Sequence, residues 1–106
     1  YTENGRVLYL VTANCIFRRE ALMAVGGFNE EFKTPGGEDP EISFRLLKAG
    51  YRLEYCPQAM ITHHYNKSWK AFFKTFVRYG AGCRKAMSAL EVKEENDKLQ
   101  IARQFY

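Results

Sequence analysis

The apolar positions of this chain change period three times, and each change predicts an element. Residues 6–12 (Arg-Val-Leu-Tyr-Leu-Val-Thr) form an unbroken apolar run rich in β-formers, the pattern of a strand buried on both faces. Residues 15–17 extend it after a break at Ala13-Asn14. Residues 18–25 predict a short helix with Ala21, Leu22 and Val25 on one face, ended by Gly26-Gly27. A turn with two aromatic anchors, Phe28 and Phe32, follows. A second helix is predicted over 40–49, where Ile42, Leu46 and Ala49 share a face, Glu41 and Arg45 are spaced i,i+4, and Gly50 takes the C′ position. Residues 51–56 and 59–63 predict two strands, with Pro57-Gln58 as the turn between them.

From Asn66 the period becomes helical again. Trp69, Phe72, Phe73, Phe76 and Val77 make one apolar stripe, with Lys67, Lys70, Lys74 and Arg78 on the other side. Gly80-Ala81-Gly82 is expected to break this helix. A further helical segment over 83–105 is densely charged from 91 to 98 and short of apolar positions, so it predicts a solvated tail. The order strand, helix, acidic loop, helix, strand, strand, helix is α/β in character, with few strands and about four helices. It suggests the second half of an α/β domain over 1–82 and a charged helical tail over 83–106.

Composition narrows this only a little. A chain of 106 residues makes one small domain at most, and 46% hydrophobic with 26% charged content argues for a folded chain and against disorder. An aromatic content of 15% is high for this size and implies a large covered surface, covered by the chain or by a partner. The net charge of +4 admits phosphate-bearing ligands, nucleic acid or an anionic membrane and selects none. The three cysteines, Cys15, Cys56 and Cys83, are odd in number and widely spaced, which argues against a disulfide framework and fits reduced thiols in a cytosolic setting. A zinc site from these with His63 and His64 would need long-range convergence. There is no signal peptide and no bilayer-length apolar run. The chain starts at Tyr1 and reads as a piece of something longer.

The densest chemistry lies in Gly36-Gly37-Glu38-Asp39-Pro40-Glu41. Asp39 is placed to be an N-cap and Pro40 to be the first helical residue. Glu38 and Asp39 would then sit at the helix mouth, where the dipole favours ionised carboxylates. Such a carboxylate can serve as a general base or a metal ligand, or can simply cap the helix. His63 ends a predicted strand and reads by spacing as a structural histidine as readily as a ligand.

Four motifs in order carry a resemblance. They are Asn14-x-x-x-Arg18-Arg19-Glu20-Ala21-Leu22; Val25-Gly26-Gly27-Phe28-Asn29-Glu30-x-Phe32; Gly37-Glu38-Asp39-x-Glu41 with Arg45 and Gly50-Tyr51; and Pro57-x-Ala59-x-Ile61-x-His63. Over roughly residues 11–82 the chain resembles the C-terminal, acceptor-side half of family-2 glycosyltransferases with the GT-A (Rossmann-like) fold. The resemblance implies transfer of a sugar from a nucleotide diphosphate sugar to an acceptor hydroxyl, with inversion and a divalent metal (Mn²⁺ or Mg²⁺), in polysaccharide or glycolipid synthesis. It implies Asp39 as the general base, with Glu38 beside it to orient the acceptor or tune Asp39. Gly37, Glu41 and Arg45 fall on the acceptor side, although an ion pair with Glu41 explains Arg45 equally well. His63 matches the family's metal-binding histidine, with His64 as the neighbouring alternative; a neutral imidazole suits Mn²⁺ better than Mg²⁺. Arg78-Tyr79 stands roughly where membrane synthases of the family carry an Arg-Trp pair, but the expected glutamine is absent, which favours an ordinary amphipathic helix.

The family's D-x-D motif and a glycine-rich phosphate loop do not occur in this sequence. The isolated chain is therefore expected to be inactive and to self-associate through apolar surface, with the 6–12 strand pairing between copies. The expected setting is the cytoplasm, at the inner face of the cell membrane if the cationic aromatic helix rests there. A nucleic-acid partner is not expected, because the carboxylates at 38–41 would repel a phosphate backbone and no nucleic-acid motif is present.

Overall fold

The computed structural model describes residues 2–3, 6–64 and 67–90. A two-stranded antiparallel ribbon, β1 (Thr2–Glu3) and β2 (Arg6–Val7), is followed by a 3-10 turn (Thr12–Asn14) and by helices α1 (Arg19–Ala24), α2 (Glu38–Lys48) and α3 (Trp69–Ala89). The ribbon pairs Thr2 with Val7 and Glu3 with Arg6.

Helix α2 is the centre of the packing. Ile42 and Leu46 lie against Ala21 of α1, with Phe17, Leu22, Val25 and Leu53 around them. Phe44 points the other way, to Cys83 of α3, with Met87 and Leu90 alongside. Each fully buried Ile, Leu or Phe contributes about 1.5–3 kcal/mol relative to an exposed one. Because both sides are covered, six of the eleven α2 residues are buried, and the one-faced pattern expected from Ile42, Leu46 and Ala49 is too narrow: Ala49 is exposed. The C-terminus closes as expected from Gly50, which has φ +88°; Gly50 N–H donates to Leu47 O and Tyr51 N–H to Leu46 O, both at 3.0 Å. Helix α1 closes with the same pair of bonds, Gly26 N–H to Met23 O and Gly27 N–H to Leu22 O.

Two expectations are corrected. The start of α2 is one: Gly37, not Asp39, is the N-cap, with φ +94°, and Glu38, Asp39 and Pro40 are the first three helical residues. Pro40 still costs little there, since the N–H of the third helical residue has no intrahelical partner. Helix α3 is the other. It runs unbroken through Gly80-Ala81-Gly82, because Gly82 is where the helix backbone meets the Gly36-Gly37 loop. Ser68 caps its start, accepting from Ala71 N–H at 3.1 Å. Cys83–Ala89 thus belongs to α3, and the charged tail beyond residue 90 lies outside the described residues.

The strand content also falls short of expectation. Of residues 6–12 only Arg6–Val7 joins a ladder, and the rest lies along α2, with Leu10 N–H donating to the buried Ser43 hydroxyl at 3.1 Å. Residues 51–56 and 59–63 flank a turn at Pro57-Gln58, as the sequence suggests, but pair with no strand among the described residues. A ladder needs a neighbour with free N–H and C=O groups at its edge. The architecture of the described residues is therefore three helices and one short ribbon.

Candidate functional site

Two hydrogen bonds fix the segment before α1 to one face of α2. Leu10 N–H reaches Ser43, and Thr12 Oγ1 donates to Asp39 Oδ1 at 2.6 Å. Asp39 and Ser43 are i,i+4 neighbours, so the segment lies along the first turns of the helix. Asn14, at the end of the 3-10 turn, donates from Nδ2 to Ala59 O at 2.8 Å and brings the segment leading to His63 alongside. Asp39 thus sits at the corner where the 3-10 turn meets the α2 N-terminus.

The corner does not hold Asp39 as the helix mouth alone would. Burial pushes its carboxyl above the ordinary value of 3.8, and the Glu38 carboxylate adds to that; the Thr12 hydrogen bonds pull the other way without winning. The expected dipole-stabilised anion is corrected accordingly: a half-buried acid beside a second acid is harder to ionise. For a general base this is an advantage, since a raised pKa lies closer to working pH. Cys15 is near enough to feel the same charge. Its thiol is pushed up first by burial and then by Asp39.

The other candidates separate into distinct jobs. Glu38 accepts from Gly36 N–H at 2.5 Å and so fastens the Gly-Gly loop. Glu41 is 3% exposed and holds Arg45 through two bonds, from Nε at 2.7 Å and from Nη2 at 2.8 Å. Arg45 also donates to Val25 O and, at 2.8 Å, to Gly27 O. These are carbonyls at and just beyond the end of α1, so the pair clamps α1 to α2, and its hydrogen-bonding groups are already taken up within the fold. Gly37 is buried and sets the loop against α3. His63 is exposed, and among the described residues no group of three His, Cys, Asp or Glu is placed to hold a metal ion. One imidazole is not a divalent-metal shell.

Thr12, Asn14, Ser43 and Gly82 escaped the sequence reading as site or scaffold residues. Asn14 had two signals, as the polar break in an apolar run and as the first residue of the first motif. A cavity of about 340 Å³ lies between Phe17, Leu46 and Leu53 and contains none of the candidate residues.

Comparison with known proteins now decides the family. The profile of glycosyl transferase family group 2 matches residues 1–105. The chain belongs to that family. This glycosyltransferase-family chain is 37% identical over 76 residues to the pre-mycofactocin glycosyltransferase of Mycobacterium tuberculosis, covering 66% of this chain and 16% of the relative. It is 28% identical over 75 residues to the O-antigen chain rhamnosyltransferase WbaN of Salmonella anatum, covering 71% and 23%. It is 33% identical over 69 residues to the succinoglycan biosynthesis protein ExoA of Rhizobium meliloti, covering 65% and 20%. The chain thus spans about a fifth of the length of these relatives. No solved structure matches it significantly.

Proposed function

We propose that this chain forms the acceptor-side part of a GT-A glycosyltransferase that moves a sugar from a nucleotide diphosphate sugar to an acceptor hydroxyl, in polysaccharide or glycolipid synthesis. Family membership and the names of the relatives support the transfer. The observation that carries the role of this piece is Asp39, half-buried at the start of α2, gripped by Thr12 and shifted toward neutral pH. In the proposed step the Asp39 carboxylate takes the hydroxyl proton as the acceptor oxygen bonds to the anomeric carbon. The nucleoside diphosphate leaves with the electron pair of the broken bond. A single displacement of this kind inverts the anomeric centre. Glu38, Gly37 and the Glu41–Arg45 clamp act by holding the loop and helix that aim Asp39. Replacing Asp39 by Asn in the full-length protein is the direct test.

A divalent metal would neutralise charge on the leaving diphosphate. Among this chain's described residues no group of three His, Cys, Asp or Glu is placed to hold a metal ion, and the exposed His63 imidazole by itself does not fit a complete site. The remaining ligands would come from elsewhere in the protein, and nothing in the proposed step depends on them.

A second reading, a setting at an anionic lipid surface, is favoured by the first half of α3. Trp69, Phe72, Phe73, Phe76 and Val77 all stand exposed, and Phe72 packs 4.5 Å from Phe76, centre to centre. Residues 67–90 carry six cations, at 67, 70, 74, 78, 84 and 85, and no carboxylate. Aromatic bulk flanked by cations suits the headgroup layer of a membrane. The same charge opposes stacking this face on a second copy of itself, so self-association would need another surface. No helix among the described residues is long and apolar enough to cross a membrane.

A further inference from the structure

The turn that carries Thr12 has little of its own to hold it in place. Thr12–Asn14 is a single 3-10 turn with no buried residue, and no side-chain hydrogen bond caps its start. One backbone bond closes it, Asn14 N–H to Val11 O at 3.0 Å. Hydrogen-bond geometry in a 3-10 turn is poor, so a turn this short is not a stable unit by itself. It nevertheless presents Thr12 to Asp39 twice, through the hydroxyl at 2.6 Å and through the backbone. The grip on Asp39 therefore depends on what fixes the turn from outside.

Two bonds do so. Upstream, Leu10 N–H is tied to Ser43 of α2, the helix that carries Asp39 itself. Downstream, Asn14 reaches a different part of the fold: its Nδ2 donates to Ala59 O at 2.8 Å, across 45 positions. Ala59 follows the Pro57-Gln58 turn and closes it, with its own N–H on Cys56 O at 3.1 Å. Proline fixes one backbone angle of that turn, which makes it a firm anchor. The partner is a carbonyl, so the side chain at 14 must supply an N–H or O–H donor.

We infer that Asn14 is a positioning residue: by anchoring the 3-10 turn to Ala59 it keeps Thr12 on Asp39. It acts through Thr12, and only its catalytic consequence rests on the proposed role of Asp39 as base. The other titratable groups that act on Asp39 or feel its charge are the Glu38 carboxylate on α2 and the Cys15 thiol just after the turn. Replacing Asn14 removes neither.

The test reads Asp39 directly, by titrating its carboxyl carbon in the ¹³C-labelled chain, assigned by its loss in Asp39→Asn. Thr12→Val should raise the titration midpoint by about half a pH unit or more, because a hydrogen bond to the charged carboxylate is withdrawn. With Asn14→Ala already present, the same substitution should raise it less than half as much, because the hydroxyl is no longer held on the acid. An equal rise in both backgrounds, or none in either, overturns the proposal. A merely structural Asn14 would lower the unfolding midpoint and leave the two rises equal. If Asn14→Ala does not fold, Asn14→Ser, which shortens the reach to Ala59, takes its place in the same comparison. In the full-length protein Asn14→Ala should lower kcat about tenfold with the KM for the sugar donor unchanged, the mark of a misplaced catalytic group. The two readings fail separately. Unequal rises with an unchanged kcat keep the anchor and remove Asp39 from catalysis. Equal rises with a lowered kcat keep Asp39 and remove the anchor.

Discussion

Gly37 and Gly82 touch backbone to backbone. A Cβ on Gly37 would fall on the Gly82 carbonyl, 2.9 Å from its Cα; a Cβ on Gly82 would fall on the Gly36 carbonyl, 2.8 Å from the Gly37 nitrogen. The contact opposes helix propensity, which alone would make Gly82→Ala stabilising by about 1 kcal/mol in the middle of α3. Overpacking against backbone that cannot rotate away costs about 1–3 kcal/mol. Gly82→Ala is therefore expected to destabilise by up to about 2 kcal/mol in urea unfolding. Gly37→Ala should cost more, since it adds strain at φ +94°. A more stable Gly82→Ala variant would show that the two backbones do not meet this way.

That contact also marks where the sequence could be read and where it could not. Gly50 and Gly26 end helices by a local rule, and the sequence placed both correctly because a C′ glycine needs only its own helix. Gly82 obeys the opposite logic: it sits inside a helix because of a loop some 45 positions earlier, so no local pattern separates it from a breaker. Asp39 was legible as the chemical centre of the acidic loop but not as a second helical residue, because the cap fell to a glycine with positive φ. Its Thr12 partner lies 27 positions away and has no signature at that range. The extended runs 51–56 and 59–63 had strand composition, but pairing depends on a neighbour, which composition does not reveal.

Asp39 separates activity from stability. In the full-length protein Asp39→Asn should lower transfer about 10²–10⁴-fold, the usual worth of a general base. Its effect on folding has the opposite sign. With the folded pKa above the ordinary 3.8, the native state holds the proton more tightly than the unfolded chain. Stability from this group is therefore greatest below that value and falls as pH rises through the folded pKa. Asp39→Asn removes the charge while keeping an acceptor for Thr12, so at pH 7 it should unfold at an equal or higher temperature than the wild type. A variant that loses both activity and stability would make Asp39 structural.

Thr12 tunes that acid. Its hydrogen bonds lower the Asp39 pKa against the pull of burial. Thr12→Val keeps the shape and removes the hydroxyl, so the acidic limb of the pH–rate profile of the full-length enzyme should move to higher pH. Thr12→Ser should restore it. An acidic limb that stays in place in Thr12→Val would remove Thr12 from the proton chemistry.

The Glu41–Arg45 clamp should register in folding and not in substrate affinity. Arg45→Ala leaves the Glu41 carboxylate buried without its partner and releases the Val25 and Gly27 carbonyls at the end of α1. Breaking a buried pair costs about 3–5 kcal/mol; with Arg45 partly exposed, the lower end of that range is expected in denaturant unfolding. A raised KM with an unchanged unfolding midpoint would return both residues to the acceptor site.

The exposed face of α3 makes the converse prediction, an effect on location with little on folding. Trp69 is 77% and Phe73 64% exposed. Removing exposed side chains changes stability by about 0.5 kcal/mol or less. The double variant Trp69→Ala, Lys70→Glu should therefore keep its unfolding midpoint. If the face rests on lipid, the wild-type chain floats with vesicles containing about a third phosphatidylglycerol and not with phosphatidylcholine alone, and the double variant stays at the bottom of the gradient. Cationic headgroup contacts are screened by salt, so flotation should weaken between 0.1 and 1 M NaCl, as the Debye length falls from about 10 to 3 Å. Equal flotation of wild type and variant would leave the aromatic ladder as a packing surface for another part of the protein. Loss of folding in the variant would instead place Trp69 in the core.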